Sequence, residues 1–143
     1  MNDDIEFLKY IYQNVKMAET STLTLIKVRN KNDDIEEILK SQVREWRKIT
    51  TSVKNMLKRR KIETKDINIA TKIISYFGIK INLSKDDSKK EVSALMINGN
   101  NMGIEQIYKK MEELNIKSKF IKNLGERIIK IQENNNEILK KYL

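Results

Sequence analysis

The ionisable side chains of this chain are limited to carboxylates, lysines, arginines and tyrosines, because its 143 residues include no histidine and no cysteine. Ser-His and Cys-His nucleophiles, thiolate or histidine metal sites and disulfides are therefore excluded. The four glycines do not cluster as a dinucleotide fingerprint or a P-loop requires. The remaining candidates for chemistry are carboxylates held inside the fold.

Two glutamates have the spacing expected at the edge of an apolar helix face. Glu19 lies four residues after Val15, and Glu45 lies four residues before Ile49. Near the middle of long helices, such positions are where bundle carboxylates bind metals. Glu19 and Glu45 alone would form a carboxylate site for Mn²⁺ or Mg²⁺. The alternative, which we favour, is that both pair with Lys, Arg or Tyr side chains, with no metal, other cofactor or catalytic residue.

The elements that position these residues are helices. The chain has no proline, and apolar residues recur at steps of three and four, which predicts four long helices and one short one. Asp33 is a natural N-cap for the second. The predicted long helices cover about 4–29, 33–61, 88–114 and 121–142, and the short one covers 64–81. The predicted fold is an all-α, up-and-down four-helix bundle with an additional short helix, in a single domain over residues 1–143.

The third long helix contains an unusual segment, because Asn98 to Gly103 has the composition of a turn. We expect a continuous helix, with or without a kink, in which Gly99 and Gly103 share one face and allow close approach of a neighbour. The alternative is two short helices broken at Asn98-Gly99. The methionines at helical spacing are expected to fill the core: Met56, Met96, Met102 and Met111.

The predicted helix lengths, the shorter connecting segment, the sequence MINGNNMG at residues 96–103 and ENNNE at 133–137 resemble small ferritin-like four-helix-bundle proteins of Firmicutes. This resemblance implies a ferritin-like fold. In metal-binding members the second and last helices would carry Glu-x-x-His, whereas this chain has Glu45 with Lys48 and Glu133 with Asn136. The resemblance therefore implies a bundle that has lost its di-iron site.

The net charge of +9 raises the possibility of nucleic-acid binding. However, arginines are few and scattered, and acidic residues gather at helix starts and basic residues at helix ends, where they complement the helix dipole. The strongest nucleic-acid candidate is the basic end of the second helix, but we favour the dipole explanation for it. This cluster contains Lys54, Lys58, Arg59, Arg60, Lys61 and Lys65.

No segment has the roughly 18 apolar residues needed to span a membrane, and the acidic N-terminus lacks the apolar region of a secretory signal. We therefore expect a cytoplasmic protein without membrane association. The sequence favours a non-enzymatic bundle that acts through self-association or a protein partner. A nucleic-acid-binding bundle and a carboxylate-only metal-binding bundle are the alternatives.

Overall fold

The computed structural model describes residues 2–67 and 88–143, and these residues form four long α-helices. We number them α1 (Asn2–Arg29), α2 (Asp34–Arg59), α3 (Lys89–Glu113) and α4 (Lys119–Lys140). The predicted all-α four-helix bundle is confirmed, and α3 is continuous through Asn98-Gly99. The predicted short helix lies outside the described residues from position 68 onward, and a 3-10 turn occupies its first residues, Thr64–Asp66. No described helix is long and apolar enough to cross a membrane.

Side-chain caps determine where three of the helices begin. The carboxylate of Asp33 accepts a hydrogen bond from the backbone N–H of Glu36 at 3.1 Å, as the sequence predicted. Ser88 caps α3 and Ser118 caps α4 through their hydroxyl oxygens. Asn30 follows α1 with a φ of 47°, a left-handed conformation that Asn tolerates and that ends the helix. These polar positions mark the helix boundaries through local interactions that do not depend on packing between helices.

The helices pack as two antiparallel pairs, α1 with α2 and α3 with α4, and α1 also contacts α3 and α4. Asp4 near the start of α1 accepts a hydrogen bond from the backbone N–H of Lys117, which follows α3. Lys89 at the start of α3 lies 2.6 Å from Asp34 at the start of α2. Consequently α2 and α3 run in the same direction, and residues 60–88 connect opposite ends of the bundle.

The apolar core is divided into two clusters along the bundle. The larger cluster lies toward the start of α1 and is built around Phe7, Trp46, Leu57 and Ile128. The smaller cluster lies toward the end of α1 and has Leu25, Ile35, Leu39, Val92, Met96 and Leu139 as its buried members. Between them, the buried positions carry largely polar side chains. The middle of the bundle is therefore chemically distinct from both ends.

Glycine allows close approach at two helical positions. A Cβ at Gly103 would overlap the amide nitrogen of Gln132, which agrees with the prediction that this glycine faces a neighbouring helix. A Cβ at Gly125 would lie 2.6 Å from Cζ of Phe7, a ring that is completely buried. Both glycines therefore make space for a buried side chain from another helix.

Two predictions about side-chain orientation are wrong. Glu45 is exposed and does not lie on the buried stripe of α2. Met102 is 48% exposed, although core packing was expected. In α4 the buried face includes Gln132 and Asn136, whereas Ile138 is 43% exposed.

Candidate functional site

Glu19 is the predicted candidate that the structure places inside the bundle, with 8% of its surface exposed. Its Oε2 lies 3.5 Å from Nζ of Lys16 and 3.6 Å from Nε of Arg47 on α2. These distances correspond to the ion pairing that the sequence favoured for this residue. The carboxylate therefore links α1 to α2 through Arg47, whereas Lys16 lies on α1 itself.

The other candidate carboxylates do not join Glu19. Both Glu45 and Glu133 are exposed on their helices. Within residues 2–67 and 88–143, no three acidic side chains come close enough together to hold a metal ion. The donor set therefore does not fit the di-iron centre of ferritin-like bundles, which needs inward Glu residues and Glu-x-x-His pairs.

A layer of amide side chains crosses the middle of the bundle instead. Nδ2 of Asn14 donates to the carbonyl oxygen of Gly103 at 3.3 Å, and Nε2 of Gln132 donates to Oδ1 of Asn14 at 3.4 Å. Asn14 and Gln132 are 4% and 2% exposed, so both bonds are shielded from bulk solvent. One amide on α1 thereby connects α1 to α3 and to α4.

A second group of amides extends this layer between α3 and α4. Nδ2 of Asn100 donates to Oδ1 of Asn136, and Nδ2 of Asn136 donates to Oδ1 of Asn101, each at 2.9 Å. Asn100 and Asn136 are both buried. We call Asn14, Asn100, Asn101, Gln132, Asn135 and Asn136 the amide layer.

Several buried polar atoms, two of them in the amide layer, have no hydrogen-bond partner among the described residues. They are both amide atoms of Gln42, Oγ of Ser93, Oε1 of Gln132 and Nδ2 of Asn135. A cavity of about 50 Å³ borders the layer between α1 and α3, with Asn14, Asn100 and Gln132 in its wall. Since a buried water needs roughly 10–15 Å³ of such space, the cavity has room for a few water molecules.

The buried amides Asn14, Asn100 and Gln132 were not predicted as a site from the sequence. The available signal was the recurrence of amides within apolar helix faces, as at Gln132 and Asn136 four residues apart. Which amides meet depends on how the helices align along their lengths. That alignment is a tertiary property that one helix pattern does not contain.

The six residues of the predicted basic cluster at the end of α2 are exposed. Nη1 of Arg60 donates to the carbonyl oxygen of Met56 at 2.9 Å, so this residue caps the end of its own helix. Lys65 lies 3.0 Å from Glu63. No carboxylate among the described residues lies within ion-pairing distance of Lys54, Lys58 or Arg59. The cluster thus combines helix-capping cations with cations that are available to an external anion.

The connection between α1 and α2 carries a buried ion-pair cluster. Both terminal nitrogens of Arg29 lie 2.8 Å from the carboxylate oxygens of Asp33, and Nη1 lies 3.4 Å from Oε1 of Glu36. The Arg29 and Glu36 side chains are each 1% exposed. Hydrogen bonding from Arg29 lowers the pKa of Asp33 to about 2. A hydrogen bond from Lys89, with another from Tyr142, lowers the pKa of Asp34.

One side of α4 carries apolar residues at the edge of the core, where Leu124 and Ile131 pack against the larger cluster. Leu124, Ile131 and Ile138 follow each other at intervals of seven residues, which keeps them on nearly the same face of a helix. Leu124 and Ile131 are half-buried, and Ile138 is 43% exposed. We call these three residues the outer stripe of α4. The stripe is partly exposed to solvent. From Leu124 to Ile138 it is about 20 Å long, at 1.5 Å per residue.

The fold and this geometry define the protein as an all-α four-helix bundle with an amide-rich middle. No family model, curated protein or solved structure matches the chain.

Proposed function

We propose that this protein is a non-enzymatic helical bundle that acts through self-association, and that it pairs along the outer stripe of α4. The observation that carries the proposal is the seven-residue spacing of Leu124, Ile131 and Ile138 at a partly exposed helix edge. Such a spacing is the pattern by which one helix packs along another. Apolar side chains that recur along one exposed edge are typical of an interaction surface.

The charges beside the stripe favour a second copy of the chain as the partner. Arg127 and Glu137 are both exposed, and they lie before and after Ile131 along α4. If two copies of α4 pair in antiparallel orientation about Ile131, Leu124 of each copy faces Ile138 of the other. Arg127 of each copy then lies near Glu137 of the other, which adds two opposite-charge pairs at the edge of the interface.

We also propose that the helices have a ferritin-like arrangement without the metal chemistry of that class. The support is the connection over residues 60–88, because ferritin-like bundles join their two helical pairs by one long crossover. At the middle of the bundle, neutral amides occupy the interior. They supply no negative charge to balance a divalent ion, and several of them hydrogen-bond one another.

Sedimentation velocity over a range of concentrations tests self-association directly. We expect a monomer–dimer equilibrium in the micromolar range, because the outer stripe offers only three apolar residues per chain. Arg127→Glu and Glu137→Arg should each weaken the dimer, whereas the double reversal should restore it. A wild-type chain that stays monomeric at every concentration contradicts the proposal. A double reversal that weakens the dimer by the sum of the two single effects, instead of restoring it, also contradicts it.

Metal loading tests the non-catalytic part of the proposal. Protein stripped of metal, reloaded with Fe²⁺ or Mn²⁺ and desalted should retain much less than one ion per chain by plasma mass spectrometry. Stoichiometric retention would overturn the proposed loss of the metal site. In that case, loss of the ion on Glu19→Gln would assign it to the carboxylate on α1.

A further inference from the structure

The end of α2 and the beginning of α4 lie at the same end of the bundle. Asp4, near the start of α1, accepts hydrogen bonds from the backbone N–H groups of Lys117 and Ser118 at 2.8 and 3.1 Å. Leu57 at the end of α2 and Ile121 at the start of α4 belong to the same apolar cluster. The cations at these two helix ends therefore lie at one end of the bundle.

Three exposed lysines at the start of α4 have no structural explanation in the helix dipole. Lys117, Lys119 and Lys122 are exposed, and the first turn of α4 contains no acidic residue. The dipole favours negative charge at a helix start, so lysines there oppose it and cost stability. No carboxylate of the described residues lies within ion-pairing distance of these three lysines. Dipole complementarity explains the cations at the end of α2 but not these.

An exposed aromatic ring stands among these lysines. Phe120 is 68% exposed, the largest exposure of any large apolar residue in the described part of the chain. Its neighbour in sequence is Lys119, and Lys122 follows two residues later. A phenyl ring has no polar group to hydrogen-bond with water, so its exposure carries a free-energy cost that a stacking partner would remove. An exposed ring at the same helix start as unpaired cations combines a surface for base stacking with groups that bind phosphate.

We infer that this surface binds single-stranded nucleic acid, with the cations on phosphates and Phe120 stacked on a base. We call it the basic end and define it by Phe120 and seven cations: Lys54, Lys58, Arg59, Lys61, Lys117, Lys119 and Lys122. Unpaired bases offer the free faces that stacking needs, whereas bases in a duplex are already stacked on each other. This inference goes beyond self-association and uses none of the outer stripe of α4.

Fluorescence anisotropy with a labelled single-stranded oligonucleotide of about 12 nucleotides tests the inference, since such sites cover about 4–16 nucleotides. If four or five cations contact phosphate, the affinity should fall about 50- to 130-fold between about 50 and 200 mM salt. The same oligonucleotide annealed to its complement should bind more weakly, because its bases are not free to stack. Equal affinity for the duplex would overturn the single-strand assignment, and a salt-independent affinity would overturn the phosphate contacts.

Charge-matched variants locate the surface. Changing Lys117, Lys119 and Lys122 together to Gln removes three charges, and changing Lys130, Lys140 and Lys141 together to Gln removes the same number elsewhere. We expect the first variant to lose at least tenfold in affinity and the second to stay within about threefold of the wild type. Equal losses would show that net charge alone attracts the oligonucleotide, which overturns the assigned surface.

Two substitutions of Phe120 separate stacking from apolar insertion. Phe120→Ala should weaken oligonucleotide binding about tenfold, the lower part of the range for one stacked base. Phe120→Leu keeps apolar volume without an aromatic face and should weaken it nearly as much. Retention of affinity by the Leu variant would contradict stacking. Phe120-dependent binding to vesicles of anionic and zwitterionic phospholipid, with no oligonucleotide binding, would overturn the inference in favour of a membrane surface.

Discussion

Replacing Asp33 by Asn separates the two roles that this residue has at the start of α2. Its Oδ1 accepts from the backbone N–H of Glu36 at 3.1 Å, and its two oxygens accept from Arg29 at 2.8 Å. Asn caps helices about as well as Asp. The Asn variant should therefore keep the cap and lose the charge pairing with Arg29.

The magnitude is bounded by the shift in the pKa of Asp33. Hydrogen bonding from Arg29 is the largest cause of the shift, and the hydrogen bond from the backbone N–H of Glu36, which Asn would still accept, adds to it. Hydrogen bonding and charge lower the pKa of Asp33 from 3.8 to about 2. That difference corresponds to about 2.4 kcal/mol at ~1.36 kcal/mol per pKa unit. The Asp33 side chain is 27% exposed, so solvent screens part of this interaction. We expect Asp33→Asn to lower the free energy of unfolding by about 1–2 kcal/mol at neutral pH.

The pH dependence distinguishes this mechanism from a general packing defect. Because the pKa of Asp33 is lower in the folded state, its contribution is fully present above the unfolded value of 3.8 and is lost as the pH falls toward about 2. Urea unfolding followed by far-UV circular dichroism should show a large difference between variant and wild type at neutral pH. The difference should shrink through this acid range.

A matched variant tests the assignment of the cap. Asp33→Ala removes both roles and should cost about 1 kcal/mol more than Asp33→Asn at neutral pH. An Asn variant as stable as the wild type at neutral pH, or a difference that does not change with pH, would refute the reasoning.

Three further predictions concern packing and buried polar groups, each measured by urea unfolding. Gly125→Ala should lower the free energy of unfolding by about 1–2 kcal/mol. The new Cβ overlaps the buried ring of Phe7, and this outweighs the roughly 1 kcal/mol gain in helix propensity. A stabilised variant would contradict this prediction. Asp4→Asn should lower the free energy of unfolding by about 2 kcal/mol, because Asp4 is only 8% exposed and accepts two backbone hydrogen bonds. Asp3→Asn should lower it clearly less, because the single hydrogen bond that Asp3 accepts from Asn115 is exposed. Equal losses would contradict the role of burial. Gln42→Met should raise the free energy of unfolding by about 1 kcal/mol, because it replaces a buried amide without a partner by an apolar side chain of similar shape. A loss of stability would show that the amide has a partner in solution.

Helix existence and helix starts were predictable because they depend on local chemistry. The carboxylate of Asp33 caps a helix through its own backbone neighbourhood, and the apolar spacing before and after it is visible in the sequence. The continuity of α3 through Asn98-Gly99 was harder, because local propensity favours a turn there. Contact with α4, visible at Gly103 against Gln132, accompanies the continuous helix.

The candidate site was less predictable because its geometry depends on helix rotation. Glu45 was placed at the edge of an apolar face from its spacing to Ile49, but it is exposed on α2. In α4, apolar residues cover so much of the circumference that their spacing allows more than one buried face. The structure selects the face with Gln132 and Asn136. Similarly, the acids at the start of α1 matched a dipole pattern, while their hydrogen bonds to residues 115–118 are long-range contacts.

The amide layer has a consequence for how many ways the helices can be aligned. Apolar contacts are non-directional, so the two clusters alone would tolerate sliding of one helix along another. A slip of α4 by one turn, about 5.4 Å, would break the bonds of Gln132 to Asn14 and of Asn136 to Asn100 together. Replacing these four amides by aliphatic residues should therefore raise the melting temperature while broadening the amide NMR spectrum, because the chain gains stability and loses its unique register.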